Sequence, residues 1–167
     1  DLLLADHYDQ TVLGAGGLVN LGEAVLRGDV TFTDARDGWE TSLVVNWSWS
    51  WVAGGLNLSA VAEYFYSGFG LKESDYSPEN FRENRDLVER LQRGELFTVG
   101  RHYLAGSLLV ELTPLLNLTP NVFFNAEDGS ALAQLVLQWD LAQNWQVLGS
   151  LGLPLGSSNT EYGGLDT

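Results

Sequence analysis

The stretch from Thr41 to Ser67 alternates apolar and polar side chains with a period of two. Its first half has one set of alternate positions at Leu43, Val45, Trp47, Trp49 and Trp51, and the other at Ser42, Val44, Asn46, Ser48 and Ser50. Only a β-strand sends alternate side chains to opposite faces. After a turn at 53–55, residues 56–67 repeat the alternation. The stretch therefore predicts a β-hairpin.

The aromatic residues of this hairpin lie at the two ends of its apolar face. Trp49 and Trp51 flank the tight turn, and Tyr64 and Tyr66 lie at the far end together with Trp39. Indole and phenol rings favour the headgroup level of a bilayer. Each arm also has about the ten residues that a tilted strand needs to cross the hydrocarbon. We therefore interpret the hairpin as transmembrane.

The same alternation predicts eight strands, joined by tight turns and longer loops in turn. The strands cover 9–19, 23–33, 41–51, 56–67, 101–112, 116–125, 131–140 and 145–155. Outer-membrane barrels have short periplasmic turns and longer extracellular loops. This rule makes the turns at 20–22, 53–55, 113–115 and 142–144 periplasmic, and the loops at 34–38, 68–100 and 126–130 extracellular. Pro120 predicts a bulge or a sheet edge, since it cannot donate to a ladder.

These elements predict an all-β fold: a transmembrane antiparallel up-and-down β-barrel, with residues 1–167 as a single domain or a fragment of one. Eight strands would place both chain ends outside the cell, whereas single-chain outer-membrane barrels normally keep both in the periplasm. We therefore expect a larger barrel of ten or more strands. Missing strands or a partner chain would complete it.

The loop at 68–100 contains a predicted helix. Ser77 is its expected N-cap, Pro78 its first residue, and Gly94 its end after Arg93. A narrow apolar stripe is predicted to pack across the barrel mouth, near Phe65 and Tyr103. The stripe comprises Phe81, Leu87, Val88 and Leu91.

The alternation also assigns candidate residues to the two faces of the barrel wall. The candidates that face the lumen are Glu23, Arg27, Asp29, Asn46, Ser48, Glu63, Arg101, Tyr103, Glu111, Asn121, Gln134 and Gln138. The aromatic residues expected at the lipid interface are Trp39, Trp49, Trp51, Tyr64, Tyr66, Trp139 and Trp145. The mixed but mainly acidic lumen would disfavour anions. Inward residues such as Val44, Phe65 and Phe123 indicate a narrow, plugged or partly apolar lumen.

The composition of the chain limits the classes of partner that it could bind. The net charge of −14 argues against nucleic acid. No apolar run approaches the ~18 residues of a membrane helix. We expect no cofactor and no metal site. Outer-membrane lipids and lipopolysaccharide are the expected surroundings, and acidic loop residues such as Asp37 and Asp128 are more simply solvated than bound to divalent ions.

An enzymatic alternative would rest on His102 and Ser107, with Asn117 or Asn121 nearby, as in a Ser-His-Asn phospholipase. His102 and Ser107 are separated by an odd number of residues, so a strand would direct them to opposite faces. The simpler reading is an interfacial histidine.

Three stretches carry a resemblance to a known group: SWVAGGLNLSAVAEYFYSGFG, RGELFTVGRHYLAGSLLVELTPLLNLTPNVFFNAEDGSALAQL and LGLPLGSSNTEYGG. They resemble the C-terminal part of a poorly characterised group of proteobacterial outer-membrane β-barrel proteins, loosely grouped as porin-like. The resemblance covers roughly residues 40–164 and implies a bacterial outer-membrane location and a barrel architecture. It implies no catalytic residues and no substrate.

The first function hypothesis is a porin-like channel for passive passage of small solutes. The second is a non-conducting structural or assembly-partner barrel. An outer-membrane lipid-acting enzyme ranks third.

Overall fold

The computed structural model describes residues 1–72, 76 and 78–166. Nine strands form a single antiparallel sheet in which each strand pairs with the next along the chain. The strands are β1 (Leu2–His7), β2 (Gln10–Leu21), β3 (Ala24–Ala35), β4 (Gly38–Ala53), β5 (Leu56–Ser67), β6 (His102–Thr113), β7 (Leu116–Asn125), β8 (Ala131–Ala142) and β9 (Trp145–Leu155). The chain is thus mostly β, as predicted.

The strand count of eight was one too low, because β1 precedes the first predicted strand. β1 pairs with β2 from Leu2↔Ala15 to His7↔Gln10. Tyr8 and Asp9 form the connecting turn with φ of 52° and 60°, a left-handed conformation in which glycine or asparagine is usual. The extra strand reverses the predicted position of the N-terminus. Residue 1 lies at the end where β2 meets β3, hereafter the turn end, and residues 156–166 follow β9 at the opposite, loop end. The loop end also has two-residue turns at 8–9 and 36–37, so the longer loop predicted at 34–38 is wrong.

The register gives the sheet one apolar and one polar face. Trp47 pairs with Leu26 and Ala62, and Ala62 pairs with Gly106, so the same face continues from strand to strand. This apolar face continues to Leu2 and Leu4 on β1 and to Leu151 and Leu153 on β9. The opposite, polar face carries the second set of each alternation. The predicted two-faced pattern is confirmed.

Pro120 interrupts the ladder locally, but neither the bulge nor the sheet edge that was predicted there is found. It lies in the interior strand β7, opposite Leu135 of β8, and the β6–β7 register is the same on both sides of it. The register shift falls instead between Glu111 and Thr113. Leu108 and Leu109 of β6 have no paired residue on β7. This gap lies beside Pro120, whose nitrogen carries no hydrogen and cannot donate to the ladder.

Two short helices, α1 (Pro78–Glu83) and α2 (Arg85–Arg93), replace the single helix that was predicted. The break falls at Asn84, whose side chain accepts a hydrogen bond from Leu87 N and so caps α2. Gly94 ends α2 in the left-handed conformation, as predicted. The proposed cap Ser77 lies outside the described residues.

The most buried side chains lie at the loop end. Leu87 of α2 and Asn125 of β7 have no exposed surface, and Ser67 and Tyr103 are nearly as buried. The segment after β9, which includes a short 3₁₀ helix at Gly163–Asp166, packs in the same region. The packed core of this chain is therefore a cap over one end of the sheet.

The sheet is not closed into a barrel. β1 and β9 each pair with only one neighbour in the described part of the chain. The accessible surface is 10757 Å², whereas a water-soluble monomer of 18.3 kDa exposes about 8,100 Å². The excess of about a third reflects a sheet whose apolar face is left uncovered.

Candidate functional site

The apolar face is the largest surface feature of the molecule. Large side chains on it are exposed along its whole width, among them Leu4, Leu26, Trp47, Leu104 and Leu151. Contiguous apolar patches of more than a few hundred Å² are rare on soluble monomers and mark surfaces that meet a membrane or another protein. Nine strands of such side chains far exceed that size.

Aromatic side chains collect towards the two ends of this face. Trp49 and Trp51 lie towards the turn end of β4, with ring centroids 4.4 Å apart. Trp47, nearer the middle of the strand, continues the stack at 6.4 Å from Trp49. Trp139 and Trp145 lie at the same turn end. At the loop end, Tyr64 and Tyr66 lie beside His102, and the Tyr64 hydroxyl lies 2.7 Å from His102 Nδ1. Trp39 is more than half exposed at the start of β4.

The polar face brings most of the lumen candidates together in cross-strand pairs. Asn46 Nδ2 donates to Glu63 Oε2 over 3.2 Å, and Asn121 Nδ2 lies 3.5 Å from Gln134 Oε1. Glu111 accepts from Asn57. Arg27, Asp29, Ser48 and Gln138 also lie on this face. One cation and several carboxylates thus line a face that amides and hydroxyls otherwise occupy.

Two lumen candidates lie outside the strands. Glu23 is in the β2–β3 turn, and Arg101 precedes β6 at the loop end. Arg101 Nε donates to Gly70 O over 2.8 Å, which directs its side chain towards the segment that follows β5. Both predicted strands began one residue too early, because alternation of side chains does not show where a strand begins.

Helix α2 is tied to the loop-end tips of several strands. Arg36, in the β3–β4 turn, donates to both carboxylate oxygens of Glu89 at 2.7 and 2.9 Å. This hydrogen bond and the charge of Arg36 lower the pKa of Glu89. Arg90 donates to Gln10 of β2, and its guanidinium lies 3.8 Å from the centre of the Phe69 ring. The helix is therefore anchored at β2, at the β3–β4 turn and just beyond β5.

A second cluster, centred on Glu161, closes the other half of the loop end. Glu161 Oε2 accepts from the Tyr103 hydroxyl and from Asn125 Nδ2, each at 2.7 Å. The Tyr103 hydroxyl also accepts from Gly100 N at 2.7 Å. Burial raises the pKa of Glu161, although these hydrogen bonds act in the opposite direction. Burial also raises the pKa of Tyr162 to about 12.

Sequence analysis missed this cluster, apart from placing Tyr103 on the polar face. Its members come from β6, β7 and the segment after β9, so no local spacing connects them. The cluster accounts for the glycine at position 100, because a Cβ there would lie only 3.0 to 3.1 Å from Asn125 side-chain atoms and the Tyr103 hydroxyl. Thr33, Ser67, Tyr103, Asn125 and Ser130, from β3 to the start of β8, are all buried. The loop end of the polar face is therefore covered.

His102 is separated from the other residues of the enzymatic alternative, whereas Ser107 and Asn121 are cross-strand partners. His102 shares a face with Tyr66, whereas Ser107 lies opposite Val61 on the other face. His102 Nε2 lies 3.8 Å from Glu127 Oε1. Across residues 1–72, 76 and 78–166, no group of three or more His, Asp or Glu side chains is arranged to hold a metal ion.

Comparison of the chain with protein families, with curated proteins and with solved structures gave no match. Within the described residues, no helix is both long and apolar enough to cross a membrane.

Proposed function

We propose that this chain is part of the wall of a bacterial outer-membrane β-barrel, and that the barrel is a porin-like channel for passive passage of small solutes. The observation that carries the proposal is the uncovered apolar face, which continues across all nine strands with aromatic residues at both ends. Lipid is a covering that suits such a face, because outward bands of this composition are typical of membrane barrels. The resemblance described above points the same way.

The free edges of β1 and β9 indicate how the barrel would close. A sheet edge inside a bilayer would leave backbone donors and acceptors unpaired, at a cost of several kcal/mol each. Closure therefore requires further strands that pair with β1 and β9. They would come from the same polypeptide or from a partner chain.

The polar face would then line the lumen. Its strands carry the carboxylates of Asp29, Glu63, Glu111 and Asp140, against the single guanidinium of Arg27 in the described strand interiors. Rings of carboxylates attract cations and repel anions. We therefore assign the channel a preference for small cations or neutral solutes.

A structural or assembly-partner barrel without conductance is the second candidate. The covered loop end favours it, because Tyr103, Asn125 and Glu161 join three segments across the polar face. This proposal gives the chain no catalytic role. An outer-membrane lipid-acting enzyme remains the third hypothesis, which a lipase assay would test.

Conductance in planar bilayers separates the first two candidates. The complete barrel should give discrete current steps, and its reversal potential in a salt gradient should favour cations. Replacing Glu63 and Glu111 by Gln should reduce that preference, whereas Glu79→Gln on the exposed surface of α1 should leave it unchanged. Insertion without conductance would support the structural candidate. Failure of the folded protein to enter lipid vesicles would refute the membrane proposal itself.

A further inference from the structure

We infer that the loop end of the sheet binds a phosphorylated lipid of the outer leaflet, with one acyl chain in a groove on the apolar face. The inference rests on the proposed function and assigns a specific ligand to its lipid-facing surface. The chemistry that fits is that of lipid A, a phosphorylated glycolipid with several acyl chains.

The acyl-chain part of the site is a groove of about 420 Å³ in the middle of the apolar face. Small residues form its floor, because Ala62 of β5 pairs with Gly106 of β6. Trp47 and Val122 flank this pair on the two outer sides. Tyr64, Leu104 and Phe124 line its loop-end side. Trp47 lies at mid-height rather than in an interfacial girdle, and a role as the wall of this groove accounts for its position.

The phosphate part of the site is a separate, polar pocket of about 360 Å³ at the loop end. Lys72 and Arg101 line it together with Asn80 and Asn84, and Glu83 is the one carboxylate among the lining residues that the structure describes. Among the described residues of this pocket, the two cationic side chains are therefore Lys72 and Arg101, against the carboxylate of Glu83. Guanidinium and ammonium groups are the usual protein partners of phosphate.

An unbroken series of side chains joins the pocket to the groove. Arg101 Nη1 lies 3.5 Å from the Tyr66 hydroxyl, and the Tyr66 ring lies 5.0 Å from the His102 ring. His102 in turn contacts the hydroxyl of Tyr64, which lines the groove. Glu127, 3.8 Å from His102, offsets part of the positive charge on this path. The path runs along the loop-end margin of the apolar face.

The vertical spacing suits a lipid. His102 and Gly106 are four residues apart on β6, which is about 13 Å along a strand and about 9 Å along the membrane normal for a strand tilted by about 45°. Half the thickness of the hydrocarbon core is about 15 Å. A phosphate held near Arg101 would therefore leave its acyl chains at the depth of Gly106.

The position of the groove favours lipid over a protein partner. The strands that would close the barrel pair with the edges β1 and β9, whereas β5 is the central strand, four strands from either edge. The face around Ala62 is therefore the part that remains turned to lipid after closure.

The test uses native mass spectrometry of the folded protein in detergent, with lipid A, phosphatidylglycerol or phosphatidylcholine added separately. We expect wild-type protein to retain one lipid A per chain with about tenfold preference over phosphatidylcholine. Gly106→Leu fills the groove and should remove this preference. Gly17→Leu is the matched control, because it lies on the same face with open space around it.

Charge variants test the pocket independently. The double variant Lys72→Gln and Arg101→Gln should also lose the preference, whereas Arg85→Gln, a cation of the cap outside the pocket, should retain it. If Gly106→Leu fails to fold, Ala62→Leu fills the same floor. Equal retention of the three lipids, or equal preference in the groove variants and Gly17→Leu, would overturn the inference.

Vesicle flotation keeps the two proposals distinguishable. A wild-type protein that inserts into vesicles but shows no lipid preference refutes the lipid site alone. A protein that does not insert refutes the proposed function. If the protein retains phosphatidylglycerol as strongly as lipid A, the assignment to the glycolipid is wrong.

Discussion

Neighbouring residues of β4 occupy opposite environments, and Trp47 and Ser48 are the sharpest example. Trp47 is half exposed on the apolar face, whereas Ser48 pairs with Val25 and Val61 on the polar face. If the apolar face meets lipid, the cost of a charge should differ greatly between these adjacent positions.

We expect Trp47→Arg to lower the free energy of unfolding by about 2–4 kcal/mol, the usual cost of an arginine near the bilayer midplane. Ser48→Arg should be nearly neutral, since its side chain would enter the lumen. A urea titration of folding into lipid vesicles measures both. Equal costs at the two positions would contradict the membrane assignment.

Glu161 is a buried carboxyl group whose protonation is coupled to folding. Burial raises its pKa above the ordinary value, so the folded state binds more protons than the unfolded state in the pH range between the two values. Its contribution to stability is therefore largest below the unfolded pKa and decreases as the pH rises through the folded pKa.

Glu161→Gln should remove this dependence, because glutamine can still accept from Tyr103 and Asn125 without carrying a charge. The stability of the variant minus that of wild type should therefore be larger at pH 8 than at pH 4. Thermal unfolding in detergent at several pH values provides the measurement, with Glu79→Gln on the exposed surface of α1 as control. If the difference in stability between Glu161→Gln and wild type is the same at every pH, Glu161 has no buried, proton-linked role.

At the scale of elements, alternation predicted every strand except β1. β4 and β5 alternate over most of their length, with exceptions such as Val44 and Phe65, so their faces followed from the sequence alone. β1 reads LLLADH, with too few residues for a period, and its turn uses Tyr8 and Asp9 rather than glycine. The predicted helix was located correctly, but its interruption depends on Asn84 contacting Leu87 N and Phe69 O, and the second of these contacts is not local.

The helices α1 and α2 form the element whose removal is most informative. Deleting residues 78–95 removes the contacts of Arg90 with Gln10 and of Glu89 with Arg36, but no strand. We expect the barrel to remain folded, as judged by heat-modifiable gel mobility, and its conductance to rise because the loop end is opened. Arg82→Gln, an exposed change in α1, should have no effect. Unchanged conductance in a folded deletion variant would show that the helices do not constrict the channel.

At the scale of the whole molecule, the two ends of the sheet differ in construction. Short turns join β2 to β3, β4 to β5, β6 to β7 and β8 to β9 at one end, whereas the helices and residues 156–166 cover the other. Only part of this asymmetry could be read from the sequence, because the long connection after β5 was evident there, whereas the predicted loop at 34–38 is a turn as short as those at the turn end. The cover itself could not, because the Glu161 cluster joins residues as much as 62 positions apart.

The asymmetry predicts sidedness. Cysteines placed at Asp37 or Arg82, both exposed at the loop end, should react with a membrane-impermeant thiol reagent on intact cells. A cysteine at Leu115, exposed in the β6–β7 turn, should react only after the outer membrane is permeabilised. The chain has no cysteine of its own, so wild type serves as the blank. Labelling at Leu115 alone on intact cells would reverse the orientation.

The stack of Trp47, Trp49 and Trp51 also makes the molecule its own optical probe. The rings of Trp49 and Trp51 lie 4.4 Å apart with 21° between their planes, close enough for their electronic transitions to couple. Coupled indoles give a paired circular dichroism band that isolated ones lack. Because the stack exists only when alternate residues of β4 share a face, that band reports formation of this strand without any attached dye.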